Sequence, residues 1–112
     1  MTYCLGILLP TGLILASDSR SNAGVDQVAK VRKLETFNVA GERTIAILSA
    51  GNLATTQWVV SSLKEAAGEI SLHSAKTMFE VAKAIGGLLR EVTERDAKYV
   101  TPFGDPSGSF IV

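Results

Sequence analysis

The chain has 112 residues, enough for one ordinary domain and too few for two. Hydrophobic residues make up 46% and charged residues 20%, and eleven Lys plus Arg cancel eleven Asp plus Glu, so neither a disordered chain nor an electrostatic nucleic-acid binder is expected. One cysteine excludes an intrachain disulfide framework, and one histidine leaves no zinc-ligand cluster.

Residues 5–16 are apolar enough to invite comparison with a secretory signal. No Lys or Arg precedes Arg20, however, and Pro10-Thr11-Gly12 cuts the stretch into two pieces of strand length. Each piece is far short of the roughly 20 residues a membrane helix needs. A cytoplasmic chain with no membrane partner is therefore expected. Residues 3–9 and 13–17 read as a β-hairpin, with Pro10 presetting the turn and Gly12 taking the positive-φ site that closes it. Residues 19–33 are polar, with Asn22 and Gly24 as turn formers. A second hairpin follows over 34–39 and 44–49 around the turn 40–43, its return strand rich in β-branched residues.

After Gly51 the period changes. Asn52 is the expected N-cap of a helix running to about residue 67 and ended by Gly68. A longer helix is expected over 74–100, where Met78, Ala82, Ile85, Leu89 and Val92 form an apolar stripe. Gly86-Gly87 inside it suggests a close helix approach, within the chain or between subunits. A loop over 102–106 leads to a last apolar β run, 109–112, for which no partner strand is evident. Two helices cover only one face of a two-hairpin sheet, so the chain reads as the N-terminal part of a larger α+β domain. A small complete domain ending in an edge strand is the alternative.

Hairpin geometry brings chemistry together. A turn centred near residue 11 sets Asp18 opposite Cys4 and close to Thr2, and one centred between Gly41 and Glu42 sets Lys33 level with Ala50 and Gly51. Were the hairpins side by side in one sheet, a hydroxyl, a carboxylate, an ammonium and a glycine amide would converge. Methionine before a small residue such as Thr is normally trimmed, which would leave Thr2 with a free α-amine. That amine, titrating at roughly 7.7–8.0, can act as general base for the weakly nucleophilic hydroxyl. The Lys33 ammonium would depress the amine's pKa, Asp18 would hold Lys33 in place, and the Gly51 N–H could donate to an oxyanion.

The start MTYC, the block SDSRSNAGVDQ (17–27), the pair Arg32-Lys33 and the block LSAGNLATTQ (48–57) resemble Anbu, the bacterial proteasome-type peptidase family related to proteasome β-subunits and HslV. The resemblance spans all 112 residues, as one proteasome-type domain incomplete at its C-terminal side. It implies the N-terminal nucleophile hydrolase fold, an αββα sandwich of which this is the N-terminal half: two β-hairpins, two helices and the start of a further strand. Carried over, the nucleophile falls on Thr2, the acid on Asp18, the lysine on Lys33 and the oxyanion glycine on Gly51. Ser21, Asn22 and Ser49 fall where such subunits line the substrate cleft. One residue fewer separates Asp18 from Lys33 than in typical proteasome subunits, which makes Lys30 the fallback.

The implied activity is cofactor-free hydrolysis of peptide or unfolded protein by a homo-oligomer, a ring or an open helical stack. No phosphate-binding glycine motif is present, so any ATPase would be a separate partner, and the sequence leaves that unknown. The rival readings are a non-catalytic assembly subunit or truncated remnant, and an amidase acting on small molecules. Each residue also has a plainer use: Asp18 satisfying loop amides, Arg20 bracing the same loop, Lys33 guarding a strand edge, Gly51 turning strand into helix. Cys4 reads as a small buried apolar residue, Trp58 as a packing residue and His73 as a surface residue.

Overall fold

The computed structural model describes residues 2–22, 28–66, 71–102 and 104–112. Their strands and helices follow in the order β1 (Cys4–Leu9), β2 (Gly12–Ser17), β3 (Arg20–Asn22), β4 (Val28–Lys30), β5 (Leu34–Val39), β6 (Arg43–Gly51), α1 (Leu53–Glu65), α2 (Met78–Val100) and β7 (Gly108–Ile111). The chain is α+β, as expected.

Both hairpins form, each with its register displaced from the expected one. Leu9 faces Gly12, so the first turn holds only Pro10 and Thr11. Gly12 is not at a positive φ; among the described residues only Gly41 and Gly51 are. Cys4 consequently faces Ser17, and Asp18 comes level with Tyr3 instead of Cys4. In the second hairpin Val39 faces Arg43 across a three-residue loop whose middle residue, Gly41, has φ 71°. Such a loop closes readily with a left-handed glycine. Leu34 then pairs with Leu48, which puts Lys33 level with Ser49, short of the expected Ala50 and Gly51.

Three further points differ from the sequence reading. The polar connection contains a short antiparallel ladder, β3–β4, in which Asn22 is a strand residue and no turn former; Gly24 lies outside the described residues. The last strand does have a partner, β7 pairing antiparallel with β6. The two hairpins do not share a sheet: β1–β2, β3–β4 and β5–β6–β7 are hydrogen-bonded separately.

One face of the β5–β6–β7 sheet carries the core. Phe37 and Ile47 pack with Val59 and Leu63 of α1 and with Val81, Ile85 and Val92 of α2, all buried. Strand alternation turns the fully buried Leu48 to the opposite face, where β1 and β2 approach β6. The order of layers is thus helices, sheet, hairpin.

Asn52 caps α1 as expected, its side-chain oxygen accepting from the Thr55 N–H at 3.1 Å, a contact worth about 1 kcal/mol. The helix ends at Glu65, and Gly68 lies outside the described residues. α2 begins four residues later than expected. The chain before it makes a turn in which Ser74 N–H donates to the Ser71 carbonyl, and Thr77 is the cap, accepting from the Glu80 N–H. Among the described residues Gly86 and Gly87 mark no close helix approach, since a Cβ at either would meet nothing within 4 Å. Trp58 packs partly buried on the core under the Arg95 guanidinium, 4.8 Å from the ring centroid. His73 is exposed, edge-on to Phe37. Among the described residues no helix is long and apolar enough to cross a membrane.

Candidate active site

The site is assembled where three ladders end. β2 terminates at Ser17, β4 at Lys30 and β6 at Gly51, and the linker 31–33 joins β4 to β5. Val31 N–H donates to the Ser19 carbonyl at 2.9 Å, which lays this linker against the end of β2. Lys33 is thereby brought beside Asp18.

The Lys33 side chain is only 6% exposed, and a buried ammonium requires close acceptors. It has two. Nζ donates to Asp18 Oδ2 at 2.8 Å and to the Arg20 carbonyl at 2.6 Å. The other Asp18 oxygen accepts from the Tyr3 N–H at 2.8 Å, and Asp18 N–H returns a bond to the Tyr3 carbonyl at 3.1 Å. Oδ2 also receives the Arg20 N–H at 3.4 Å. With the Lys33 hydrogen bond as the largest cause and the Tyr3 amide next, the Asp18 carboxyl is pulled down from 3.8 to about 2. The carboxylate therefore clamps both the lysine and the first backbone amide after Thr2.

Thr2 is half-buried, one peptide unit from that clamp, and makes no hydrogen bond among the described residues. Ser49 is buried and tied to the linker that carries the lysine: its N–H donates to the Lys33 carbonyl at 2.9 Å and its hydroxyl reaches the same oxygen at 3.5 Å. The Ser49 carbonyl accepts the Cys4 thiol at 3.6 Å. Burial pushes the Cys4 pKa up, Asp18 adds to that and Lys33 opposes it, so the thiol stays protonated and is a poor nucleophile.

Gly51 sits at φ 103°, and a Cβ there would lie 2.7 Å from the Ser107 carbonyl oxygen, so only glycine fits. Ladder bonds alternate sides along a strand. The Ser49 amide points to Lys33 and the Asn52 amide to Ser107 on β7's side, so the Gly51 amide is turned the way of Ser49. Ser21 and Asn22 form β3 with Arg20, paired with Ala29 and Val28.

The structure thus joins Asp18, Lys33, Ser49 and Cys4 by direct contacts, with Thr2 next to the Tyr3 that Asp18 holds and Gly51 two residues after Ser49. Lys30, the fallback lysine, does not reach Asp18; it faces Arg20 across β3–β4. A cleft of about 550 Å³ opens beside the ion pair, lined by Ser17, Asp18, Ser19, Lys30, Arg32 and Lys33. The Tyr3 amide and the Arg20 carbonyl were not foreseen as parts of the site. The two-residue turn at Pro10-Thr11 was the signal that could have placed Asp18 against Tyr3.

No protein-family model matches the chain, and no curated protein does. Solved structures do. The Anbu protein of Pseudomonas aeruginosa, described as a helical assembly, is 38% identical with a TM-score of 0.86, over 98% of this chain and 46% of that one. A Gly-1 mutant of Anbu from Hyphomicrobium sp. strain MC1 is 37% identical with a TM-score of 0.82, over 98% and 45%. Anbu from Yersinia bercovieri, described as an ancestral β-subunit, is 43% identical with a TM-score of 0.75, over 88% and 43%. The chain spans less than half the length of these relatives.

Proposed function

The chain belongs to the Anbu family, and we propose that it supplies the nucleophile-bearing half of a proteasome-like threonine peptidase. The observation that carries this reading is the bonded series from Lys33 through Asp18 to the Tyr3 amide, which holds an ammonium and a fixed negative charge beside the residue that follows Thr2. The order of helices, sheet and hairpin supports one half of the αββα sandwich of N-terminal nucleophile hydrolases.

In this mechanism Met1 is removed and the Thr2 α-amine becomes free. The nearby Lys33 charge keeps that amine unprotonated, and it takes the proton of the Thr2 hydroxyl as Oγ1 attacks the peptide carbonyl. The oxyanion so formed is met by the Gly51 N–H. The amine returns its proton to the departing amino group, leaving an ester on Thr2 that water hydrolyses by the same base. Ser21, Asn22 and Ser49 belong to the strands that border the substrate. The relative described as a helical assembly supports a homo-oligomer.

Intact-mass spectrometry after exposure to an epoxyketone, which reacts with both the hydroxyl and the amine of an N-terminal threonine, tests this directly. The expected spectrum lacks Met1 and shows one adduct, abolished by Thr2→Ala. A retained Met1 with no adduct would overturn the hydrolase reading and leave an assembly subunit.

A further inference from the structure

The cleft beside the ion pair carries more positive charge than that pair needs. Arg20 and Lys30 stand directly opposite one another in the β3–β4 ladder, and both are exposed. Like charges so placed weaken an antiparallel pair. Arg32, also exposed, follows two residues after Lys30. Among the described residues none of these three cations makes an ion pair. The described carboxylates nearby are engaged elsewhere: Asp18 is neutralised by Lys33, and Glu35 on β5 is held by Lys64 at 3.1 Å. Lys30 and Arg32 line the cleft itself, which among the described residues is left with two uncompensated positive charges next to the Asp18–Lys33 pair.

We propose that this cleft is a subsite for an acidic side chain of a peptide, with Lys30 and Arg32 receiving its carboxylate. The arginine offers a planar fork that matches a carboxylate with two parallel hydrogen bonds, and the lysine adds a mobile point charge. A volume of about 550 Å³ is much larger than an inorganic anion and accommodates a side chain with part of its backbone. Both cations are solvated, so the selectivity is electrostatic and screened by salt. That the bound peptide is then cleaved rests on the threonine-hydrolase reading; the binding preference does not.

The test uses the Thr2→Ala protein, which binds without turnover, and fluorescein-labelled peptides identical except for one central residue: Glu, Asp, Ala or Lys. Fluorescence anisotropy at about 50 mM salt should show the Glu and Asp peptides binding at least about fivefold tighter than the Ala peptide, and the Lys peptide weakest. The gap should narrow at about 300 mM salt. It should vanish in Lys30→Ala/Arg32→Ala and survive in Lys30→Arg. Lys30→Met alone, a change at an exposed position, should reduce it if the double variant does not fold. No binding of the Glu peptide, equal binding of all four, or a preference that persists without the two cations overturns the proposal. Displacement of the Glu peptide by inorganic phosphate at constant ionic strength would also overturn it, by assigning the cleft to a free anion. Failure of the epoxyketone adduct, in contrast, removes hydrolysis and leaves this preference standing.

Discussion

The β5–β6–β7 sheet and the β1–β2 hairpin are held in place by different forces. Phe37 on β5 and Ile47 on β6, facing the helices, are 5% and 1% exposed, whereas Leu8 and Leu13 beside the first turn are 83% and 59% exposed. The sheet is fixed by burial against two helices. The hairpin's inner end is fixed by polar bonds: Asp18 to Tyr3 and Lys33, and the Cys4 thiol to the Ser49 carbonyl. The candidate nucleophile rides on the hairpin, whereas the lysine that would serve it comes from the linker leading into the sheet and the glycine from the end of β6. Alignment of the site therefore depends on a few directional bonds between the two parts, and overall stability depends mainly on the helix-facing core.

The largest effect should come from cutting the bond between the two. Lys33→Met removes the charge proposed to keep the Thr2 amine a base, and the rate of epoxyketone labelling should then fall by roughly 10² to 10⁴, the usual worth of a positioned base. A labelling rate unchanged in that variant would separate Lys33 from the chemistry. Next in size, Ile47→Ala should cost about 2–5 kcal/mol in urea unfolding, while Leu8→Ala should stay within about 0.5 kcal/mol. Equal losses would show that the hairpin carries a core of its own.

Gly51→Ala tests the edge of the sheet. A side chain at φ 103°, 2.7 Å from the Ser107 oxygen, should cost about 1–3 kcal/mol or unpair the first residues of β7, visible as faster amide exchange at 108 and 109. The smallest effect is that of acid. Asp18 is lowered from 3.8 to about 2, so its contribution to stability is complete above pH 4 and is lost as pH falls through about 2. The Asp18 carboxyl carbon, followed by NMR, should titrate near 2 in the native chain and closer to its ordinary value in Lys33→Met.

Much of the site was legible in the sequence. Hairpin turns suggest that Thr2, Asp18, Lys33 and Gly51 come near one another, and the blocks 17–27 and 48–57 supply the resemblance from which their roles are expected. Register was harder. A proline turn next to a glycine admits two closures, and the loop around Gly41 has three residues, so each pairing was displaced by a residue or more. The β3–β4 ladder left no apolar alternation to read, because each of its strands has only three residues, Arg20-Ser21-Asn22 and Val28-Ala29-Lys30. The start of α2 was readable in the spacing of Thr77 and Glu80, which places a capping hydroxyl three residues before an acid. The longer apolar stripe masked it.

The tight passage of Ser107 over Gly51 has a consequence in time. Strand β7 follows β6 in the chain only after both helices, and contacts of such sequence separation are slow to close. Until β7 docks, nothing fixes the left-handed turn at Gly51, and the amide that would receive a reacting carbonyl has no settled direction. A partly folded chain could already hold its lysine and carboxylate together through the hairpins and still lack that donor. The strand that passes over Gly51 is the one that would arm the site.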